Sequence, residues 1–229
     1  MYTVKFYKGD YLARQQAANE DKAVAYVEHH FNSSTATQAE YCCVVVGANA
    51  SITSRNWGQW YARAISEQFG NKVGGDQGLL VGGFNGRGDG NVKYTSMPAL
   101  LLEPLFGSNP RQADLIRSEA GQQQLARILV ESIRRFFPNG GLIAFSVGHK
   151  YKTSSPNDRG ALLAGGGNEA DYCEIVLKAA EKLLVGEAMP VPGRRLRVMQ
   201  GERVLFETAL DEDAVLTWSS DRNLLFIPG

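Results

Sequence analysis

The chain has 229 residues, and its 24 Lys and Arg balance 24 Asp and Glu for a formal net charge of zero. Hydrophobic residues at 44% and charged residues at 21% exclude a disordered chain. The neutral balance removes the electrostatic case for nucleic acid or an anionic membrane as partner, and the length suits one α/β domain with a small appendage.

Tyr2-Thr3-Val4-Lys5-Phe6-Tyr7 alternates and is rich in β-formers, which predicts a short strand. From Tyr11 to about Ala25 the chain is rich in Ala, Gln, Glu and Lys without Pro or Gly, which predicts a helix. Val24–His30 reads as a strand that ends at polar Asn32-Ser33-Ser34, and Glu40–Val46 as a buried strand. Trp57–Phe69 sets Trp57, Trp60, Tyr61, Ala64, Ile65 and Phe69 at helical spacing, so its aromatics read as helix core rather than a sugar platform. Gly70–Gly90 is glycine-rich and predicts loops around a short strand at Leu79-Leu80-Val81; no Lys-Ser/Thr closes it as a phosphate loop. Pro98 and Pro104 bracket the strand Ala99–Leu102, and Pro110 opens a long helix through Phe137.

Leu142–Val147 reads as a strand running into Gly148-His149, followed by a polar, glycine-rich loop and a helix from about Glu169 to Leu184. Strands alternating with helices predict a mixed, mainly parallel sheet with helices on both faces. Beyond Pro190 the pattern changes: Leu196 and Val198, Val204 and Phe206, Val215 and Trp218, Leu224 and Phe226 mark short alternating segments. The expected division is an α/β domain at 1–189 and a small antiparallel β appendage at 190–229 packed on it. Cys42, Cys43 and Cys173 fit buried thiols in a reducing compartment better than a disulfide framework. The first ten residues lack the apolar core of a secretory signal, and no run approaches the ~18 apolar residues of a membrane span. The expectation is a protein that is cytoplasmic as synthesised.

His149 and Glu169 fall at the end of a strand and the start of a helix, where α/β sheets collect ligands and the helix dipole favours a carboxylate. They are either parts of a site or a loop histidine and a helix-end carboxylate. His30 also ends a strand, and pleat alternation turns His29 to the opposite side. Two histidines and a carboxylate so placed form a ligand set for catalytic zinc with an open fourth position. Glu103 closes an apolar strand, where a carboxylate is costly without a partner or a task. It is either a general base beside the metal or the salt-bridge partner of Arg111 or Arg14.

The stretch Ser96-Met97-Pro98-Ala99-Leu100-Leu101-Leu102-Glu103-Pro104-Leu105-Phe106-Gly107-Ser108-Asn109-Pro110 resembles the "mPavLvExgFlsNp" segment of the zinc-dependent N-acetylmuramoyl-L-alanine amidases, the amidase 3 family. Arg14, Ala18-Asn19 and Val27-Glu28-His29-His30-Phe31-Asn32-Ser33 resemble that family's "R…AN…ADxfiSiHfNa" stretch. Gly148-His149, Arg159-Gly160-Ala161 and Asn168-Glu169-Ala170 resemble its opening "GHGG…GA…E" stretch, with Lys150-Tyr151 in place of the second glycine pair.

The resemblance implies peptidoglycan or a soluble muropeptide as substrate, zinc held by His30, His149 and Glu169, and Glu103 as the catalytic glutamate. The order His30, Glu103, His149, Glu169 implies that the family's opening strand–loop–helix has moved to the end, a circular permutation. Glu174 stands as the alternative carboxylate ligand. A competing alignment sets Gly47 at the histidine position, but Arg14 and Ala18-Asn19 lie upstream of His30 as the motif requires. The alternative readings are a catalytically silent wall-binding protein and a zinc hydrolase of another peptide or amide. Without a secretory signal, such a protein fits either a lytic enzyme released to the wall by a lysis-type route or a cytoplasmic enzyme that recycles soluble wall fragments.

Overall fold

The computed structural model describes residues 1–186 throughout and, beyond them, the four strands Arg195–Gln200, Arg203–Ala209, Thr217–Ser219 and Leu224–Phe226. The chain separates into two compact units, Met1–Glu187 and Ala188–Gly229. The boundary expected at 189/190 and the residue Val215 lie outside the described residues. In the second unit, Arg195–Gln200 pairs antiparallel with Arg203–Ala209, and Thr217–Ser219 pairs antiparallel with Leu224–Phe226.

The first unit is built on strands β1 (Tyr2–Phe6), β2 (Ala25–His29), β3 (Tyr41–Val46), β4 (Lys72–Val73), β5 (Leu79–Val81), β6 (Ala99–Glu103) and β7 (Gly141–Val147). Its helices are α1 (Tyr11–Glu20), α2 (Ile52–Phe69), α3 (Pro110–Arg117), α4 (Glu119–Phe136) and α5 (Glu169–Val185). The sheet runs β1-β7-β2-β6-β3-β4, with β5 also paired to β3. Every pairing is parallel except β3 with β6. This is the mixed, mainly parallel sheet that the alternation of elements predicts.

Period-two alternation sorts the strand side chains between two cores. Ala25 and Val27 of β2 and Leu100 and Leu102 of β6 bury against Trp57 and Tyr61 of α2, Leu129 of α4 and Leu177 of α5. Their neighbours Tyr26, Ala99 and Leu101 face the other side, where Ala18 of α1, Val92 and Met97 close over them. Both faces are therefore covered, which explains why the central strands read as continuous apolar runs. Trp57 and Tyr61 are core residues as expected, with Trp57 Nε1 donating to Ser132 Oγ at 2.9 Å.

Three helix boundaries differ from the sequence reading. The first helix stops at Glu20, because Asp21 turns to accept from Lys5 Nζ and Tyr7 OH and Lys22 takes a left-handed conformation. The second starts at Ile52, capped by Ser51 Oγ accepting from Ser54 N, five residues ahead of the first aromatic. The long helix expected from Pro110 is two: Ser118 is extended, and its hydroxyl caps α4 by accepting from Gly121 N at 3.0 Å. Neither Pro nor a left-handed Gly stands at that joint, and the serine cap marks the break.

Candidate metal centre

The parallel neighbours β7, β2 and β6 end along one edge of the sheet, the edge where α/β folds gather ligands. His149 follows β7, His30 follows β2, and Glu103 is the last residue of β6. The helix α5 then brings Glu169, its first residue, back to the same edge. Two glycines permit this convergence. A Cβ on Gly148 would lie 2.6 Å from the His30 ring and from the His29 carbonyl. Gly160, in a left-handed conformation, leaves room for the Glu169 carboxylate and the His149 ring, each of which a Cβ would meet within 3 Å. His149 itself has φ of 62°, an uncommon value for a residue with a side chain.

His30 Nδ1 stands 3.0 Å and His149 Nε2 3.3 Å from the same oxygen, Glu169 Oε1. One ligand atom from each of His30, His149 and Glu169 lies within 4.8 Å of the others, a group that could hold a metal ion. Backbone N–H groups hold the carboxylate in place: Phe31 N donates to Oε1 and Ala161 N to Oε2. Burial alone would raise the Glu169 carboxyl, but the hydrogen bonds from His149 and His30 outweigh it and hold the group below the usual carboxylate range. Burial likewise opposes charge on His30, yet its bonds to Glu169 and Glu28 raise the imidazole to about 10. The bond to Glu169 also raises His149. A ring flanked by carboxylates on this scale suits cation binding, whether the cation is a proton or a metal.

Glu103 faces the same cleft, whose volume is about 780 Å³. Its Oε2 is buried with no hydrogen-bond partner among the described residues. Burial, aided by the negative charge of Glu169, raises its carboxyl to about 8 against the pull of His30, His149 and Arg87. The salt bridges considered for it do not form. Arg14 is buried and donates to Gly9 O, Ser146 Oγ, Val147 O and Lys150 O, while Arg111 pairs with Glu40. Glu174 is also withdrawn from the cluster, since it accepts from Lys150 Nζ and Tyr151 OH. His29 is fully buried on the other side of the strand, with neither ring nitrogen bonded among the described residues.

The glycine-rich stretch after β5 supplies the opposite wall of the cleft with Phe84, Arg87 and Asn91. None of these was singled out from the sequence, and neither was Glu28, which holds His30 from behind at 2.9 Å. Glu28 did carry a signal: it lies on β2 two residues before His30, the spacing that returns side chains to one face. Lys152 and Asp158 line the cleft as well, the latter 3.1 Å from His149 Nδ1.

The sequence profile of the N-acetylmuramoyl-L-alanine amidases, the amidase 3 family, matches residues 6–135. Among solved structures, the chain is similar to the catalytic domain of the amidase CwlV from Bacillus (Paenibacillus) polymyxa var. colistinus. The two are 25% identical over 56% of this chain and 66% of that one, with a TM-score of 0.47. It is similar to an N-acetylmuramoyl-L-alanine amidase from Clostridium difficile 630 at 21% identity, over 58% and 67% of the two chains, with a TM-score of 0.48. It is also similar to Ami1 from Mycobacterium smegmatis at 20% identity, over 56% and 60%, with a TM-score of 0.45. The matched part thus spans about two thirds or less of these relatives. None of the curated proteins matches.

Proposed function

The chain belongs to the N-acetylmuramoyl-L-alanine amidase family, whose profile covers more than half of it, and from that premise we propose that it is a zinc-dependent peptidoglycan amidase. The reaction is hydrolysis of the amide between the lactyl group of N-acetylmuramic acid and L-alanine of the stem peptide. The observation that carries this reading is the approach of His30, His149 and Glu169 to one another beside an unpartnered Glu103 oxygen.

His30, His149 and Glu169 would hold the metal. Two imidazoles and one carboxylate are the donor set of catalytic zinc sites that keep a position open. When bound, zinc supplies Lewis acidity, drawing charge from an amide carbonyl and acidifying water. Glu103 takes a proton from the attacking water and returns it to the leaving amine of L-alanine. Its buried, unpartnered oxygen and raised carboxyl suit a group that must both accept and give a proton near neutrality. Phe84 and Arg87 line the same cleft, where they would contact a bound substrate.

The circular permutation belongs to the same proposal. The profile match ends at residue 135, ahead of β7 and α5, which carry His149 and Glu169. In space β7 lies between β1 and β2. An opening strand moved to the end of the chain but kept in its place in the sheet accounts for both facts.

Digestion of purified peptidoglycan, followed by identification of the new termini, tests the reading. The expected products are peptides with free L-alanine amino termini and an intact glycan bearing newly freed lactyl carboxylates. Cleavage within the peptide or the glycan, or none at all in zinc-loaded protein, would overturn it.

A further inference from the structure

His30 has a carboxylate on each side, and only one of them belongs to the proposed ligand set. Nδ1 faces Glu169, while Nε2 lies 2.9 Å from Glu28 Oε1. Glu28 is 1% exposed. An ionised carboxylate at that depth is costly unless its oxygens are satisfied and it serves a partner. Both oxygens are satisfied: Oε1 accepts from Asn91 Nδ2 as well as facing His30, and Oε2 accepts from Ser146 Oγ and Tyr26 OH. Arg14 is not its close partner. The nearest guanidinium nitrogen is 3.9 Å away and donates to Ser146 Oγ and the Val147 carbonyl. Arg14 orients Ser146, Ser146 orients Glu28, and Glu28 grips His30.

We propose that Glu28 is a positioning residue for the metal, fixing both the ring plane and the tautomer of His30. With its proton held on Nε2 by Glu28, the ring presents the Nδ1 lone pair toward Glu169 and His149. Imidazole metal ligands are commonly oriented by a hydrogen bond on the other nitrogen, and its loss weakens binding about 10- to 100-fold. His149 shows the same arrangement from a half-exposed loop, with Asp158 at Nδ1 and Nε2 toward Glu169. The Glu28 contact is the buried one, braced by Asn91, Ser146 and Tyr26, and so is the one that sets the geometry. This inference rests on the metal-binding part of the proposed function and on none of its substrate chemistry.

The test measures zinc affinity of the full chain by chelator competition, together with the visible spectrum of the Co²⁺-substituted protein. Glu28→Gln keeps the size of the side chain and removes its charge; Glu28→Asp keeps the charge and draws the carboxylate back from His30. The expected result is about 10- to 100-fold weaker zinc binding and an altered Co²⁺ spectrum in Glu28→Gln, with a smaller loss in Glu28→Asp. If Glu28→Gln does not fold, Glu28→Asp decides by the same two readouts. Wild-type affinity and spectrum in the folded variants overturn this inference and leave the amidase reading intact. Wild-type protein that binds neither ion overturns both.

Discussion

His30 Nδ1 and Glu169 Oε1 are 3.0 Å apart, although 139 residues separate them in the chain. One is set by the end of β2 and the other by the first turn of α5. Neither element alone can hold an ion, so removal of either residue should abolish tight zinc binding. His30→Ala and Glu169→Ala are each expected to weaken zinc by more than the about 100-fold that loss of an indirect partner costs. Metal content after dialysis against a chelator checks this, and retention of one zinc per chain in either variant would sink the ligand assignment.

Glu103→Gln should separate activity from stability. The substitution removes a proton carrier, for which a loss of about 10² to 10⁴ in rate is expected. It also removes a group whose charged form is disfavoured by burial and whose Oε2 has no partner. The melting temperature should therefore stay level or rise while zinc content is unchanged. Rates on purified wall and thermal melts of the same preparation give both readings.

Zinc binding should strengthen with pH. In the metal-free protein His30 is raised to about 10 by Glu169 and Glu28 after the opposing cost of burial. The ion must displace that proton, so affinity rises as pH rises from 6 to 8. Titration in two buffers of different ionisation enthalpy should reveal proton release. A pH-independent affinity without release would exclude His30 as a ligand.

His29 predicts a pH effect of another kind. Burial, reinforced by the nearby His30, lowers its imidazole to about 3, against 6.5 in the unfolded chain. The folded state keeps it neutral, so its contribution is full above pH 6.5 and is lost as pH falls toward 3. At pH 4 the loss should reach on the order of 3 kcal/mol. His29→Leu should flatten the fall in melting temperature between pH 6.5 and 4 without reducing zinc content. Parallel curves for the two proteins would contradict this.

Arg87 has no side-chain hydrogen bond or ion pair among the described residues, yet it lines the cleft that Glu103 faces. Stem peptides carry carboxylates that a free guanidinium can bind. Arg87→Ala should raise KM several-fold on muropeptide with a smaller change in kcat, and Arg87→Lys should recover part of the loss. An unchanged KM would remove Arg87 from substrate recognition.

The sheet was legible because β2, β3, β6 and β7 are apolar runs of strand length divided by Pro, Gly or polar clusters. Their order was not, since nothing local says that β7 inserts between β1 and β2. The convergence of His30, His149 and Glu169 was expected through motif resemblance, not through spacing, because the residues meet only after that insertion. Glu28 was missed because a glutamate inside a strand pattern reads as one polar position among several. Its significance depends on Ser146 and Asn91, which arrive from distant segments. Likewise, the engagement of Glu174 by Lys150 and Tyr151 depends on the loop's path, which no local pattern announces.

The place of β7 has a consequence for biosynthesis. Among the described strands β1 pairs with β7 alone, so a ribosome that has delivered everything through α4 has delivered no partner for β1. The nascent chain at that stage also lacks half of the metal-facing groups. Long-range closure of this type slows folding. It also leaves the His30, His149 and Glu169 cluster incomplete until late in translation, because β7 is followed by His149 and, after a loop, by α5 with Glu169.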